Sequence, residues 1–266
     1  MISPLFESLL RNSMTLLTDI DESESMVVHE GQMYDNAETS DEPRFQMDLN
    51  DKDVILEELE DLLQYPRLSL VKILQLDANS FEDAGVERLA RAEVLVKLDR
   101  LSLADNKLTH RAVKALAESP VLHRLRHLYL QRNQIGPEGM RLLAESETLS
   151  GLNTLYLKAN PLGPEGAAYL AASPHLRNLK ELFLDRTQLG IEGLAALCRS
   201  EVMCTVEKLM LPHNGLDDRA IELIADSDCL PNLVTLDLYN NHLSSDAAQI
   251  IKQSPKLKKF KFLQVD

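Results

Sequence analysis

The chain has no tryptophan, and aromatic residues make up only 5% of its 266 residues. Aliphatic side chains must therefore fill any core, and a hydrophobic fraction of 44% is enough for a substantial one. No apolar run approaches the roughly 18 to 20 residues that a membrane-spanning helix needs. Residues 1–20 also lack the charged start and continuous apolar stretch of a signal peptide, so we expect a cytoplasmic protein.

Cysteines and catalytic motifs are equally scarce. The three cysteines, Cys198, Cys204 and Cys229, lie in one region, and neither end of the chain carries a cluster that would staple a secreted domain. His123 and His127 are four residues apart, but they lead into a predicted strand and do not share the helix face that would hold zinc. The sequence has no nucleophile elbow, phosphate loop, dinucleotide turn or Cys-x-x-Cys pair. We therefore expect reduced thiols, no metal, no cofactor and no catalysis.

The formal net charge of -14 comes from one part of the chain. Residues 1–66 hold 17 of the 42 acidic side chains and 3 of the 28 basic ones, which leaves 25 of each sign in the remainder. The remainder is therefore neutral. This distribution argues against nucleic-acid binding, because a neutral surface and an acidic segment do not attract phosphates.

The pattern Leu-x-x-Leu-x-Leu-x-x-Asn recurs every 27 residues, beginning for example at Leu98, Leu125 and Leu152. Seven clear units share this register without an insertion, and weaker copies extend it towards both ends. The last position of the pattern is filled by Asn79, Asn106, Asn133, Asn160, Asn214 and Asn241, with Thr187 in one unit. We interpret this column as structural, because a side-chain amide can satisfy the backbone groups that a bend leaves unpaired.

Each unit divides into a strand and a helix. The Leu-x-Leu core alternates as a strand does, and the second half of the unit has helical spacing. The segment 136–139, Gly-Pro-Glu-Gly, is typical of a helix start, and Ser119-Pro120 is typical of a helix end. We expect an α/β fold, a right-handed solenoid with parallel strands on the concave face and helices on the convex face. The repeat domain is expected over residues 44–266.

The units resemble leucine-rich repeats of the ribonuclease-inhibitor-like class, most closely a bacterial variety with 27-residue repeats. The stretch 125–146 matches that pattern nearly letter for letter. The resemblance covers residues 44–266 and implies a horseshoe that binds proteins through its concave face. It also raises the alternative of an exported bacterial effector, although residues 2–20 do not match the F-box that some relatives carry. A ribonuclease target is not expected, because the repeats are neutral and have few cysteines.

The residue between the two strand leucines points away from the core. Read in 27-residue steps, four consecutive positions are large and apolar: Tyr129, Tyr156, Phe183 and Met210. On adjacent strands these side chains would form a stripe of roughly 15 Å. Aromatic residues and methionine are enriched in binding hot spots, so we expect this stripe to anchor a partner. The alternative is that the side chains only cover a hydrophobic seam by packing on one another.

Four basic side chains follow the stripe at the ends of the strands: Arg132, Lys158, Arg186 and His213. An apolar centre with a basic margin suits a protein segment that is hydrophobic and acidic. We therefore predict a non-catalytic interaction scaffold with a protein partner and no membrane partner. The alternative function is regulation of a small GTPase or another enzyme, because the build resembles a leucine-rich-repeat activator of the Ran GTPase.

Residues 1–43 form an acidic N-terminal segment with apolar residues at helical spacing near its start. We expect a short helix there that caps the first repeat or serves in docking or export, followed by a largely disordered stretch. Because it is acidic, this segment is also a candidate to occupy the basic groove. At the other end, the unpaired edge of the last strand makes association with a second copy possible.

Overall fold

The computed structural model describes residues 3–17 and 43–265. Short strands alternate with helices, and one 10-stranded sheet follows the order of the chain. The strands are β1 (Met14–Leu16), β2 (Phe45–Asp48), β3 (Val71–Gln75), β4 (Arg100–Ser102), β5 (His127–Tyr129), β6 (Thr154–Tyr156), β7 (Glu181–Phe183), β8 (Lys208–Met210), β9 (Thr235–Asp237) and β10 (Phe262–Gln264). The helices are α1 (Pro4–Asn12), α2 (Leu56–Leu63), α3 (Glu82–Leu89), α4 (His110–Ala117), α5 (Pro137–Ala144), α6 (Gly163–Ala171), α7 (Gly190–Leu197), α8 (Asp218–Ala225) and α9 (Ala247–Gln253).

From β2 to β10 the strands are parallel, and neighbours pair at the same position of the repeat. Leu101 lies opposite Leu128, and Leu128 lies opposite Leu155. Equivalent residues therefore form rows across the sheet, and these three leucines are completely buried. The expected fold class is confirmed: the chain is an open α/β solenoid of repeated strand–helix units.

The helices stack in the same order as the strands, since each of α4 to α7 packs against the next. Parallel strands lie about 4.8 Å apart, whereas packed helices need about 10 Å. The stack therefore bends with the sheet on its concave side. This curvature places the outward-pointing strand residues on the inner surface and the polar helix faces on the outer one.

A row of serines joins the end of each helix to the following unit. Ser146 Oγ donates a hydrogen bond to the carbonyl of Ala117 at 2.7 Å and accepts one from the Leu149 N–H at 3.2 Å. The equivalent donation is made by Ser119, Ser173, Ser200, Ser227 and Ser254. Each serine thus satisfies a carbonyl that the helix end leaves unpaired. The Ser-Pro pairs indicated where helices end, but sequence analysis did not assign this role to the serines.

The first repeat is covered by the start of the chain. Helix α1 buries Phe6 and Leu10, and β1 pairs with β2 in the antiparallel direction, which the sequence did not predict. The N–H of Leu17 donates to the carbonyl of Arg44 at 2.8 Å. The last residue described before position 18 thus lies beside the start of β2, and β1 belongs to the same sheet as the repeats. The occupation of the groove by the acidic stretch concerns residues outside the described ones.

No helix within the described ranges is both long and apolar enough to cross a membrane.

Candidate functional site

The four apolar residues of the stripe occupy one row of the sheet. Tyr129 lies opposite Tyr156, Tyr156 opposite Phe183, and Phe183 opposite Met210. The row continues with Ser102 on β4 at one end and with Asp237 on β9 at the other. We call Tyr129, Tyr156, Phe183 and Met210 the aromatic stripe. It lies on the strand side of the molecule, bounded by polar residues along the row.

The rings of the aromatic stripe are stacked. The centroids of Tyr156 and Phe183 are 4.0 Å apart with 12° between the planes, and those of Tyr129 and Tyr156 are 5.8 Å apart with 25° between the planes. The Lys208 Nζ lies 5.0 Å from the centroid of the Phe183 ring. The three rings therefore form an ordered, stacked column along the row.

Phe183 differs from the expectation that the whole stripe faces solvent. Its side chain is only 8% exposed, while Tyr129, Tyr156 and Met210 are half-buried. The physical reason is its position between the Tyr156 ring and the Lys208 ammonium. Phe183 packs beside the Tyr156 ring in the same row and offers little surface to a partner.

The two tyrosine hydroxyl groups remain protonated near neutral pH. Burial raises the pKa of Tyr156 to about 12, and the carboxylate of Asp185 adds to the shift. Burial also raises the pKa of Tyr129. Both residues can therefore donate a hydrogen bond at the surface of the stripe.

Two of the four predicted basic residues already face acidic partners. Arg132 Nε lies 3.2 Å from Asp105 Oδ2, and Lys158 Nζ lies 3.9 Å from Asp185 Oδ1. The basic margin expected from the sequence is therefore only partly available. The sequence alone did not reveal these pairs, because they join residues 27 positions apart on neighbouring units.

The other two basic residues contact each other. Arg186 Nη2 lies 3.4 Å from His213 Nε2, and His213 Nδ1 lies 2.5 Å from Asn240 Nδ2. The Tyr239 ring meets the His213 ring edge-on, with 6.0 Å between the centroids. Arg186, His213, Tyr239 and Asn240 therefore form a surface group at the C-terminal ends of β7, β8 and β9, which we call the Arg186–His213 cluster.

Two carboxylates lie beneath this cluster. Asp185 and Asp237 are each 9% exposed, and burial raises the pKa of both side chains. Asp237 Oδ1 accepts the N–H of Tyr239 at 2.8 Å. Asp185 Oδ2 is buried and has no hydrogen-bond partner among the residues that the structure describes. Basic groups are thus outermost at this end of the stripe, with acidic groups below them.

A second polar row runs along the opposite side of the stripe. Thr154 Oγ1 donates to Glu181 Oε2 at 3.3 Å and lies 3.0 Å from His127 Nδ1. Since the hydroxyl hydrogen of Thr154 goes to Glu181, His127 Nδ1–H is the donor in the second contact. His127 Nε2 is 3.9 Å from Asp99 Oδ2. Sequence analysis treated His127 only as a poor zinc ligand and missed this row.

His127 is neutral in this environment. Burial, followed by the positive charges of Arg100 and Arg126, lowers its pKa to about 3. A neutral ring that donates through Nδ1 can tie two strands together without adding charge to the concave face.

The asparagine column lies at the turn after each strand. Asn133 Oδ1 accepts the N–H groups of Asn106 and Leu108 at 3.0 Å each, and its Nδ2 donates to the carbonyls of Leu103 at 3.0 Å and Leu130 at 2.9 Å. The same type of contact is made by Asn79, Asn106, Asn160, Asn214 and Asn241. These side chains are buried, and their amides are bonded to backbone groups.

The three cysteines are free thiols. Cys198 is buried, and burial raises its pKa to about 12, which keeps the thiol protonated. Within residues 3–17 and 43–265, no three histidine, cysteine or acidic side chains are grouped to hold a metal ion.

Two stretches of the chain match models of known families. Residues 122–144 match a model described as Leucine Rich repeat, and residues 232–253 match another described as Leucine Rich Repeat. Each stretch spans one strand and the helix that follows it, β5 with α5 and β9 with α9. A comparison with curated proteins finds no match. The two matched stretches are similar to leucine-rich repeats, and both lie within the solenoid of repeated strand–helix units.

Proposed function

We propose that the chain is a non-catalytic scaffold that binds a segment of another protein on its concave face, with the aromatic stripe as the anchor. The stacked column of rings on β5, β6 and β7 carries this proposal. A partner that binds there meets side chains that are already ordered, so less conformational entropy is lost on binding. Large apolar side chains on a surface without a core above them are typical of binding hot spots.

The residues of the aromatic stripe have different roles in binding. Tyr129, Tyr156 and Met210 retain exposed surface, so we assign them the direct contacts. Phe183 holds the Tyr156 ring in place from one side. The tyrosine hydroxyl groups provide hydrogen-bond donors beside the apolar surface, a combination that favours recognition of a protein segment over a purely lipid-like ligand.

We further infer that the units belong to the ribonuclease-inhibitor-like class. The 27-residue period, and the helix that follows the strand in each of the central units, support this assignment.

The test is affinity capture of partners with Tyr156→Ala, compared with Tyr169→Ala as a matched control. Tyr169 lies on α6 and is also half-buried, but on the helix side, where its hydroxyl contacts Glu165. Truncation of a hot-spot tyrosine should cost about 2 kcal/mol or more of binding free energy. We expect proteins captured by the wild type to be lost with Tyr156→Ala and kept with Tyr169→Ala. Equal capture by both variants would contradict binding through the stripe.

A further inference from the structure

We propose that the bound protein segment carries a carboxylate, and that the Arg186–His213 cluster receives it beside the Met210 end of the aromatic stripe. This inference rests on the proposed function, which sets the stripe as the anchor. It adds the charge of the partner and the direction in which the segment lies on the sheet.

The first step is the state of the other basic side chains at the C-terminal ends of the strands that carry the stripe. An incoming carboxylate at Arg132 or at Lys158 would have to compete with Asp105 or Asp185, which already lie against them. In the described part of the chain Arg186 forms no ion pair with a carboxylate, and its nearest polar contact is the His213 ring. The strand-end position with unused donors is therefore Arg186, with His213 beside it.

The second step concerns the acidic groups that face the cluster. Asp185 and Asp237 both lie close enough to His213 for its charge to act on their carboxylates, and both are 9% exposed. Lys158 lies 3.9 Å from Oδ1 of Asp185, whose Oδ2 has no hydrogen-bond partner among the described residues, and Asp237 accepts the Tyr239 N–H. Arg186 is exposed above them. A segment that approaches from solvent therefore meets the guanidinium first.

The third step is the backbone. Arg186 and His213 have positive φ angles of 52° and 56°, and Asn240 has 53° at the next equivalent position. This left-handed conformation suits asparagine or glycine and costs about 1 kcal/mol for other side chains. Ala78, Asp105, Arg132 and Ala159 share this conformation at the equivalent positions, so the turn belongs to the repeat and sets the same backbone position for Arg186 and His213 in successive units.

The geometry also gives the spacing of the ligand. Arg186 follows Phe183 by three residues, and because it lies in the turn after the strand the two positions are less than the roughly 10 Å of an extended stretch apart. The occupant is therefore a protein segment in which an aspartate or glutamate stands within about three residues of an aromatic or aliphatic side chain. The apolar residue packs on Tyr156 and Met210, and the carboxylate accepts hydrogen bonds from Arg186.

The experiment selects random peptides displayed on phage against the full chain. The double variant Arg186→Asn/His213→Asn removes the basic groups, and asparagine suits the left-handed backbone, so folding is preserved. Arg132→Asn is the matched control, since Arg132 has the same position in its repeat, a φ of 59° and a resident acidic partner. Far-UV circular dichroism and urea unfolding check that all proteins are folded.

We expect the wild type and Arg132→Asn to select peptides that combine an apolar residue with Asp or Glu. The double variant should keep the apolar preference and lose the acidic one. A peptide selected by the wild type should bind the double variant about tenfold more weakly, the factor of one charge-assisted hydrogen bond. Arg186→Glu should instead select peptides with Lys or Arg.

Two results separate the possible failures. If the wild type selects apolar peptides without acidic residues, or the double variant keeps the acidic preference, the carboxylate site is wrong and the proposed function stands. If no peptide is selected, or selection is unaffected by Tyr156→Ala, both the carboxylate site and the proposed function are wrong.

Discussion

The buried asparagines stabilise the turn after each strand, because their side-chain amides bond to backbone N–H and carbonyl groups that the turn leaves without backbone partners. Asn133 makes two hydrogen bonds through each end of its amide, to groups of its own unit and of the preceding one. Thr187 fills the same place in a later unit, where its Oγ1 donates to the carbonyl of Leu184 at 2.8 Å. A hydroxyl has one hydrogen to donate, whereas an amide has two, so the threonine unit is the less completely satisfied one.

Asn133→Ala is expected to lower the free energy of unfolding by about 3 kcal/mol or more, because several buried backbone groups lose their partners. Thr187→Asn should raise it by about 1 kcal/mol, since the added amide N–H can reach a second carbonyl. Urea unfolding followed by circular dichroism measures both changes. The structural assignment of the column fails if Asn133→Ala is as stable as the wild type.

His127 makes the stability of the fold depend on pH. Its folded pKa of about 3 lies below the ordinary value of 6.5, so the unfolded chain takes up the proton first as the pH falls. The stabilising contribution of the neutral ring is therefore complete above pH 6.5 and decreases as the pH drops below it. The buried carboxylates of Asp185 and Asp237 act in the opposite direction, because their folded pKa values are raised.

His127→Gln removes this titration and retains a donor for Thr154. At about pH 5 the lost contribution is about 2 kcal/mol, so the drop in unfolding free energy between neutral pH and pH 5 should be smaller in the variant by that amount. His123→Gln is the control, because His123 is exposed and its loss should leave the slope unchanged. An identical pH dependence in His127→Gln and the wild type would refute a buried neutral ring.

Among the elements, α1 and β1 form the N-terminal cap of the solenoid, since they cover its first unit. Without them the edge of β2 would be open and the completely buried Met47 would lose part of its cover. The β1–β2 pairing and the hydrogen bond between Leu17 and Arg44 join the two strands directly. We therefore expect the cap to hold without residues 18–42.

Two deletions test whether the cap depends on α1 and β1 alone. Replacing residues 18–42 by a short hairpin linker should leave the urea midpoint nearly unchanged. Deleting residues 1–42 removes the buried side chains of Phe6 and Leu10 and should lower stability by several kcal/mol, at roughly 2 kcal/mol for each side chain. A similar loss of stability in both proteins would show that the cap depends on the connecting stretch.

At the scale of the whole molecule, the 27-residue period predicted the strands, the helices and the buried leucines. That succeeded because structural positions repeat: Leu101, Leu128 and Leu155 pack in the same environment, so one unit predicts the next. The antiparallel pairing of β1 was not predictable, since its residues carry no copy of the repeat.

The candidate site was predictable as a row but not as a set of contacts. The period placed Tyr156 beside Phe183, but the burial of the Phe183 ring depends on the nearby ammonium of Lys208. Likewise, Arg132 forms an ion pair with Asp105 only because the two side chains, which belong to adjacent units, extend towards each other. Side-chain directions between adjacent units decide such contacts, and the order of residues does not specify them.

The most direct test of concave-face binding is a photo-crosslinking amino acid placed at Tyr156 and, in a second protein, at Tyr169. Both side chains are half-buried, but Tyr156 lies on strand β6 and Tyr169 lies on helix α6, which follows it in the chain. Partner binding through the aromatic stripe predicts a covalent product with the captured protein from position 156 and none from position 169. Crosslinking from position 169 alone would contradict it and place the partner on the convex helices.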